Sequence, residues 1–210
     1  PEMHSSQNEQ DNRRYAKFAR IPCLEPSDSQ EAKDLVAGAL EISEQFDTPV
    51  FLRTTTRVAH SKSIVNLEDP VVWEDKTEVK TNAAKYVMVP GNSRVRRQLV
   101  EKRTAALKQY AESSPLNRVE MKSKEVGIIT SGMPYNYAKD AFPEYSYLKL
   151  GMVYPLPEKL IRDFAAKVKK HYVVEELDPF LEEQIKTMGI AVTGKAVLPF
   201  ANELDPGIVS

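Results

Sequence analysis

The 210-residue chain sets 29 Lys and Arg against 30 Asp and Glu, a formal charge of -1, so it has neither the basic footprint of a nucleic-acid binder nor an acidic tail. Its single cysteine, Cys23, excludes an internal disulfide or a thiolate-held metal cluster and suits a reducing compartment. No apolar run approaches the roughly 20 residues of a membrane span and no signal-peptide pattern stands near residue 1, so the reading is a cytoplasmic protein with no nucleic acid and no membrane among its partners.

The chain opens on Pro1, enters a helical pattern within a few residues, and runs out at Asp205-Pro206-Gly207 to Ser210. Both ends suggest an internal piece of a longer polypeptide. Ser6-x-x-Glu9 has the form of a capping box, followed by a helix with Tyr15, Phe18 and Ala19 on one face. Ile21–Leu24 reads as a short buried strand. In EPSDSQEAKDLVAGALEISEQF the pairs Ser27/Gln30 and Asp28/Glu31 offer overlapping capping boxes, and Ala32, Leu35, Val36, Ala39, Ile42 and Phe46 recur at helical spacing. Asp47-Thr48-Pro49 ends that helix, and the β-branched and aromatic run Val50–Thr55 predicts a strand. Strand, helix and strand on short links define a parallel crossover unit.

Periodicity fades over residues 58 to 92, where Val71-Val72-Trp73 and Tyr86–Val89 suggest short strands or an extended arm and Pro90-Gly91-Asn92 a turn. From Ser93 a helix follows, with Val95, Leu99, Ala106, Leu107 and Tyr110 on one face. Its other face carries Arg94, Arg96, Arg97, Lys102, Arg103 and Lys108, and is read as solvated. Ser113-Ser114-Pro115 breaks the pattern, which puts a domain boundary near residues 112 to 122. Beyond it, strands at Val126–Ser131, Tyr147–Leu150 and His171–Glu176 alternate with helices, and Ala196–Leu198 suggests a last strand. That alternation predicts a small parallel α/β sheet covered on both faces.

Gly-rich phosphate loops, paired C-x-x-C and H-E-x-x-H are all missing. Gly132 follows a strand at a sheet's carboxyl end, where either a ligand or a tight turn would need glycine. Glu175 and Glu176 end a strand but point to opposite faces, which favours a structural or subunit-contact duty over an acid–base pair. Arg53-Thr54-Thr55-Thr56-Arg57-Val58-Ala59-His60 leaves a strand with hydroxyls, guanidinium groups and an imidazole, a set suited to carboxylate or phosphate or to plain solvation. In the opening SSQNEQD, capping accounts for Ser6 and Glu9. Gln7, Asn8, Gln10 and Asp11 are surplus to it, so the loop faces something specific.

Four segments carry a resemblance: MHSSQNEQDNRRYAKFA (Met3–Ala19), EPSDSQEAK (Glu25–Lys33), TPVFLRTTTRVAHS (Thr48–Ser61) and VVEELDP (Val173–Pro179). Together they resemble the alpha subunits of indolepyruvate ferredoxin oxidoreductases, thiamine-diphosphate-dependent 2-oxoacid:ferredoxin oxidoreductases. The resemblance implies an α/β architecture in which residues 1–112 are the C-terminal part of a pyrimidine-binding domain with a connector. Residues 123–210 are then a transketolase C-terminal-like, three-layer α/β domain. It also implies a parent enzyme with thiamine diphosphate, magnesium and 4Fe-4S clusters, a beta subunit, ferredoxin, an arylpyruvate and coenzyme A, none of those cofactors being bound by this piece alone. The family's catalytic glutamate would lie before Pro1 and its diphosphate-binding motif after Ser210, so no catalytic residue and no metal ligand is expected here. Ser5, Ser6, Gln7, Asn8, Glu9, Gln10 and Asp11 become a polar wall of the active-site region, with Arg57 and His60 facing substrate or coenzyme A. The competing reading is a non-catalytic module that only assembles subunits.

Overall fold

The computed structural model describes residues 9–69 and 81–210. The proposed strand at Val71–Trp73 lies outside them. In chain order the elements are α1 (Arg13–Ala19), β1 (Cys23–Leu24), α2 (Ser29–Phe46), β2 (Phe51–Leu52), α3 (Thr56–His60), α4 (Ala83–Tyr86), α5 (Pro90–Ser113), β3 (Arg118–Glu120), β4 (Val126–Thr130), α6 (Gly132–Ala141), β5 (Ser146–Lys149), β6 (Met152–Tyr154), α7 (Glu158–Ala165), β7 (Lys170–Val174), α8 (Phe180–Thr187) and α9 (Pro206–Val209).

Two sheets form, one ordered β2-β1-β6 and the other β3-β5-β4-β7. β1 and β2 are parallel, as the crossover pattern predicts, while β6 adds to β1 antiparallel. In the larger sheet β4 runs parallel to both β5 and β7, and β3 closes one edge antiparallel to β5. Side-chain alternation divides the cover of this sheet. Ile129, Leu148 and Val173 pack with Ile161, Phe164, Leu181 and Ile185 of α7 and α8, a cluster that also takes in Ala16, Cys23 and Val153. Ile128, Tyr147 and Val174 face the other way, onto Tyr135, Tyr137 and Ala138 of α6 and Val209 of α9. Helices thus lie on both faces of a largely parallel sheet, the mixed α/β architecture anticipated. A third cluster, Leu24, Leu35, Ile42, Leu107, Ala111 and Met152, seats α2 and α5 on the smaller sheet.

α2 follows its sequence signals closely. The Asp28 side chain accepts from the Glu31 backbone N–H at 2.8 Å, and Glu31 reaches back to the N–H and hydroxyl of Ser27 at 2.9 and 2.8 Å, so the two boxes merge into one. The helix has no basic residue in its last turn. Arg103 of α5 donates to the Asp47 carbonyl at 2.7 Å and Lys85 pairs with the Asp47 carboxylate, setting cations at the negative end of the helix dipole.

Several local expectations are corrected. In α1 the buried residues are Arg13 and Ala16, while Tyr15 is 57% and Phe18 89% exposed, so the aromatic stripe faces outward. Tyr86 ends α4 and Val87–Val89 run on as an extended link, the arm and not the strand of the two alternatives, and among the described residues no strand pairs with it. Pro90 is the first residue of α5 instead of a turn, where its fixed φ and missing N–H do no harm. Residues 56–60 form a helical turn capped by Thr55, not an open exit loop. Ala196–Leu198 is not a strand; pairing with β7 comes instead from a bridge between Thr193 and Tyr172. β3 and β6, each only three residues long, carry no readable alternation.

Candidate functional site

The parallel strands end on charge. Glu25 follows β1, Arg53 follows β2, Ser131 follows β4, and Glu175 with Glu176 follows β7; all five are buried. The carboxyl ends of parallel strands are where open α/β sheets present functional groups. Here the chain fills that space with its own ion pairs.

Arg13, 2% exposed, stands at the centre. Its Nε donates to the Asp11 carboxylate at 2.9 and 3.1 Å and Nη2 to Asp11 Oδ2 at 2.5 Å. Nη1 donates to Glu175 Oε2 at 2.8 Å, and Nη2 also reaches the carbonyls of Glu176 and Asp178 at 2.9 and 3.2 Å. The guanidinium lies over the Phe180 ring, 5.1 Å from its centroid. Arg53 pairs with Glu25, and its Nε donates to Asn12 Oδ1 at 2.6 Å. Ser131 Oγ donates to Glu25 Oε2 at 2.6 Å, which links the smaller sheet to the larger one.

Two carboxylates sit at helix N-termini, where exposed N–H groups and the dipole favour anions. Glu175 accepts from the Leu181 N–H at 2.9 and 3.1 Å and from the Glu182 N–H at 3.0 Å, replacing the cap that Pro179 cannot supply to α8. Glu25 stands beside the first residue of α6, and a Cβ on Gly132 would come within 3.1 Å of its side chain. With φ at +55°, Gly132 is required twice over, for backbone and for close approach. The group approaching it is a carboxylate of the same chain.

Burial works to raise the Asp11 pKa, but the hydrogen bond and charge of Arg13, with Arg53 behind, hold it below the ordinary aspartate value. Arg53 is pulled down to about 10, first by burial and then by the positive charge of Arg13. Burial raises the Glu175 carboxyl against the opposing pull of Arg13 and the α8 amides. Lys195 closes the layer, its ammonium donating to the carbonyls of Glu175 and Pro199 at 2.8 and 2.9 Å.

Of the residues singled out from the sequence, Ser5, Ser6, Gln7 and Asn8 lie outside the described residues. Glu9 does not cap α1, which begins four residues later at Arg13; its carboxylate accepts from the Asn202 N–H at 3.0 and 3.3 Å. Gln10 is exposed, and Asp11 is locked to Arg13. Arg57 pairs with Glu203, so Glu9 and Arg57 meet on the same turn at residues 202–203, whereas His60 is exposed at the end of α3. Glu175 and Glu176 have separate partners, Arg13 for one and the Leu204 N–H at 3.1 Å for the other. Arg13, Asn12, Glu25 and Ser131 were not singled out, since nothing in their local sequence announces burial.

No family model matches this chain. In fold it is like a ferredoxin-dependent 2-oxoacid oxidoreductase. The solved structure of 2-oxoglutarate:ferredoxin oxidoreductase from Magnetococcus marinus, with 2-oxoglutarate, coenzyme A and succinyl-CoA bound, superposes with a TM-score of 0.62 at 15% identity, covering 96% of this chain and 44% of that one. The sequence comparison is more particular: the chain is a homologue of a segment of the indolepyruvate oxidoreductase subunit IorA. It is 39% identical over 217 residues to the Archaeoglobus fulgidus subunit, matching 100% of this chain and 35% of the relative. It is 41% identical over 205 residues to that of Methanothermobacter thermautotrophicus, matching 94% of this chain and 32% of the relative. The chain thus spans about a third of the length of the curated relatives it matches. No helix among the described residues is long and apolar enough to cross a membrane.

Proposed function

We propose that this chain works as part of a cytoplasmic, thiamine-diphosphate-dependent enzyme that oxidatively decarboxylates arylpyruvates, indolepyruvate among them. The products are an arylacetyl-CoA and carbon dioxide, with the electrons passing to ferredoxin. The observation that carries this reading is the alignment of the whole chain with IorA subunits at 39% identity. Residues 1–112 correspond in this reading to the end of the pyrimidine-binding domain with its connector, and residues 123–210 to the transketolase C-terminal-like domain, with β6 binding the second to the first through β1. A beta subunit, ferredoxin, the arylpyruvate and coenzyme A are the partners.

Thiamine diphosphate supplies the carbanion chemistry of such a reaction. The described residues do not fit as its holders. Among them no group of His, Cys, Asp and Glu could hold a metal ion, and the close approaches at Gly132 and Gly194 are filled by Glu25 and Glu182. Magnesium, diphosphate and iron–sulfur clusters therefore belong, in this reading, to parts of the enzyme outside the described residues. What this chain contributes, in this reading, is a buried charge layer and the polar residues Glu9–Asp11 that lead into it. Arg57 and His60 are the further candidates for contact with substrate or coenzyme A.

The test is indolepyruvate- and coenzyme A-dependent reduction of ferredoxin by the complex that contains this chain. Turnover that is lost when the chain is left out of the assembly supports the reading. Assembly without any 2-oxoacid-dependent reduction would leave the subunit-assembly module as the better description.

A further inference from the structure

Arg13 joins the end of the Glu9–Asn12 loop, which it follows in sequence, to the turn between β7 and α8, where Glu175 lies 162 residues further along the chain. That turn is held in an unusual shape. Leu177 is buried with φ at +57°, a left-handed conformation that a branched side chain adopts only when its surroundings over-determine it. The kink lets the carbonyls of Glu176 and Asp178 both accept from Arg13 Nη2 while the Glu175 carboxylate takes Nη1. On the other side Asp11 occupies Nε and Nη2, and the next residue, Asn12, is gripped separately by Arg53. A guanidinium is the one side chain with enough donors in a fixed plane to serve both sides together.

We propose that Arg13 is a positioning residue: it clamps the Glu9–Asn12 loop to the β7–α8 turn, so that the second sheet dictates where the loop stands. This rests on the reading that places the loop in the active-site wall. A merely stabilising ion pair would change how hard the chain is to unfold. A clamp changes where one loop sits, and catalytic efficiency with it, since small displacements of positioning groups have large effects on rate.

Arg13→Lys keeps the charge but cannot span both sides, and Asp11→Asn releases the loop while leaving Arg13 on Glu175, which covers the case in which the first variant folds poorly. Hydrogen–deuterium exchange on the complete complex reads the clamp directly. Both variants should speed amide exchange over residues 9–12 by about tenfold or more beyond any change seen at β4 and β7, which report global stability. Arg14→Lys, on the exposed neighbour, should leave it as it is. Faster loop exchange accompanied by a kcat for arylpyruvate lowered by about tenfold, measured well below the melting temperature of each variant so that the folded complex is assayed, supports the positioning role. Unchanged loop exchange in both variants overturns the clamp. Faster exchange with kcat and KM untouched overturns the positioning role in an active enzyme. A wild-type complex with no 2-oxoacid-dependent turnover is separate from both and removes the functional reading while leaving the exchange result to judge the clamp.

Discussion

The arginines beside the first helix and those along α5 end in opposite surroundings. Arg13 and Arg53 are buried and bonded on every side by Asp11, Asn12, Glu25, Glu175 and backbone carbonyls. On α5, Arg97 meets Glu101 one turn along at 2.8 Å, with the two side chains 61% and 50% exposed. The buried residues of that helix are Leu107 and Ala111, near its end, while Val95 and Leu99 stay exposed. Charge removed from water must be paired almost completely, and once paired it fixes geometry; charge left in water fixes very little.

The sharpest way to break this contrast is to remove one partner from the inner layer. Arg13→Ala strands Asp11 and Glu175 without their cation, and should lower unfolding free energy in urea by about 3–5 kcal/mol or prevent folding. A loss below 1 kcal/mol, on the order of a surface pair, would show that water enters the layer. Asp11→Asn should cost less, about 1.5–3 kcal/mol at neutral pH, in the range of charge-assisted hydrogen bonds. Because the folded state holds Asp11 below its ordinary value, its contribution is fully present above that value and is lost as pH falls through the folded one. The difference between wild type and Asp11→Asn should therefore shrink as urea midpoints are followed into acid, and a pH-independent gap would refute the pairing. Glu175, raised by burial, has the opposite sign and favours folding more as pH falls. Arg97→Ala marks the lower end, with a change of a few tenths of a kcal/mol that disappears at high salt.

Where sequence signals were local, they were legible. Asp28 and Glu31 announced the start of α2, and the short runs Val126–Ser131, Tyr147–Leu150 and His171–Glu176 announced β4, β5 and β7. Where the deciding partner was distant, they were not. The run Tyr86–Val89 has the composition of a strand yet pairs with no strand among the described residues, and Arg118–Glu120 has the composition of a loop yet pairs with β5. Tyr15 and Phe18 sit at helical spacing, but the buried face of α1 is set by the ion pairs of Arg13. Of the polar surplus in SSQNEQD, Asp11 ends in the buried ion-pair layer, locked to Arg13. The depth of that layer could not be read locally, because Asn12 is bonded to Arg53 from 41 residues away and Arg13 to Glu175 from 162 residues away.

The one thiol of the molecule, on Cys23 in β1, is fully enclosed beneath the arginine layer, and burial pushes its pKa up to about 12. An alkylating reagent can reach it only when this part of the fold opens. Its modification rate is thus a built-in clock for local opening, one that needs no engineered label and reports on the strand directly under the charges.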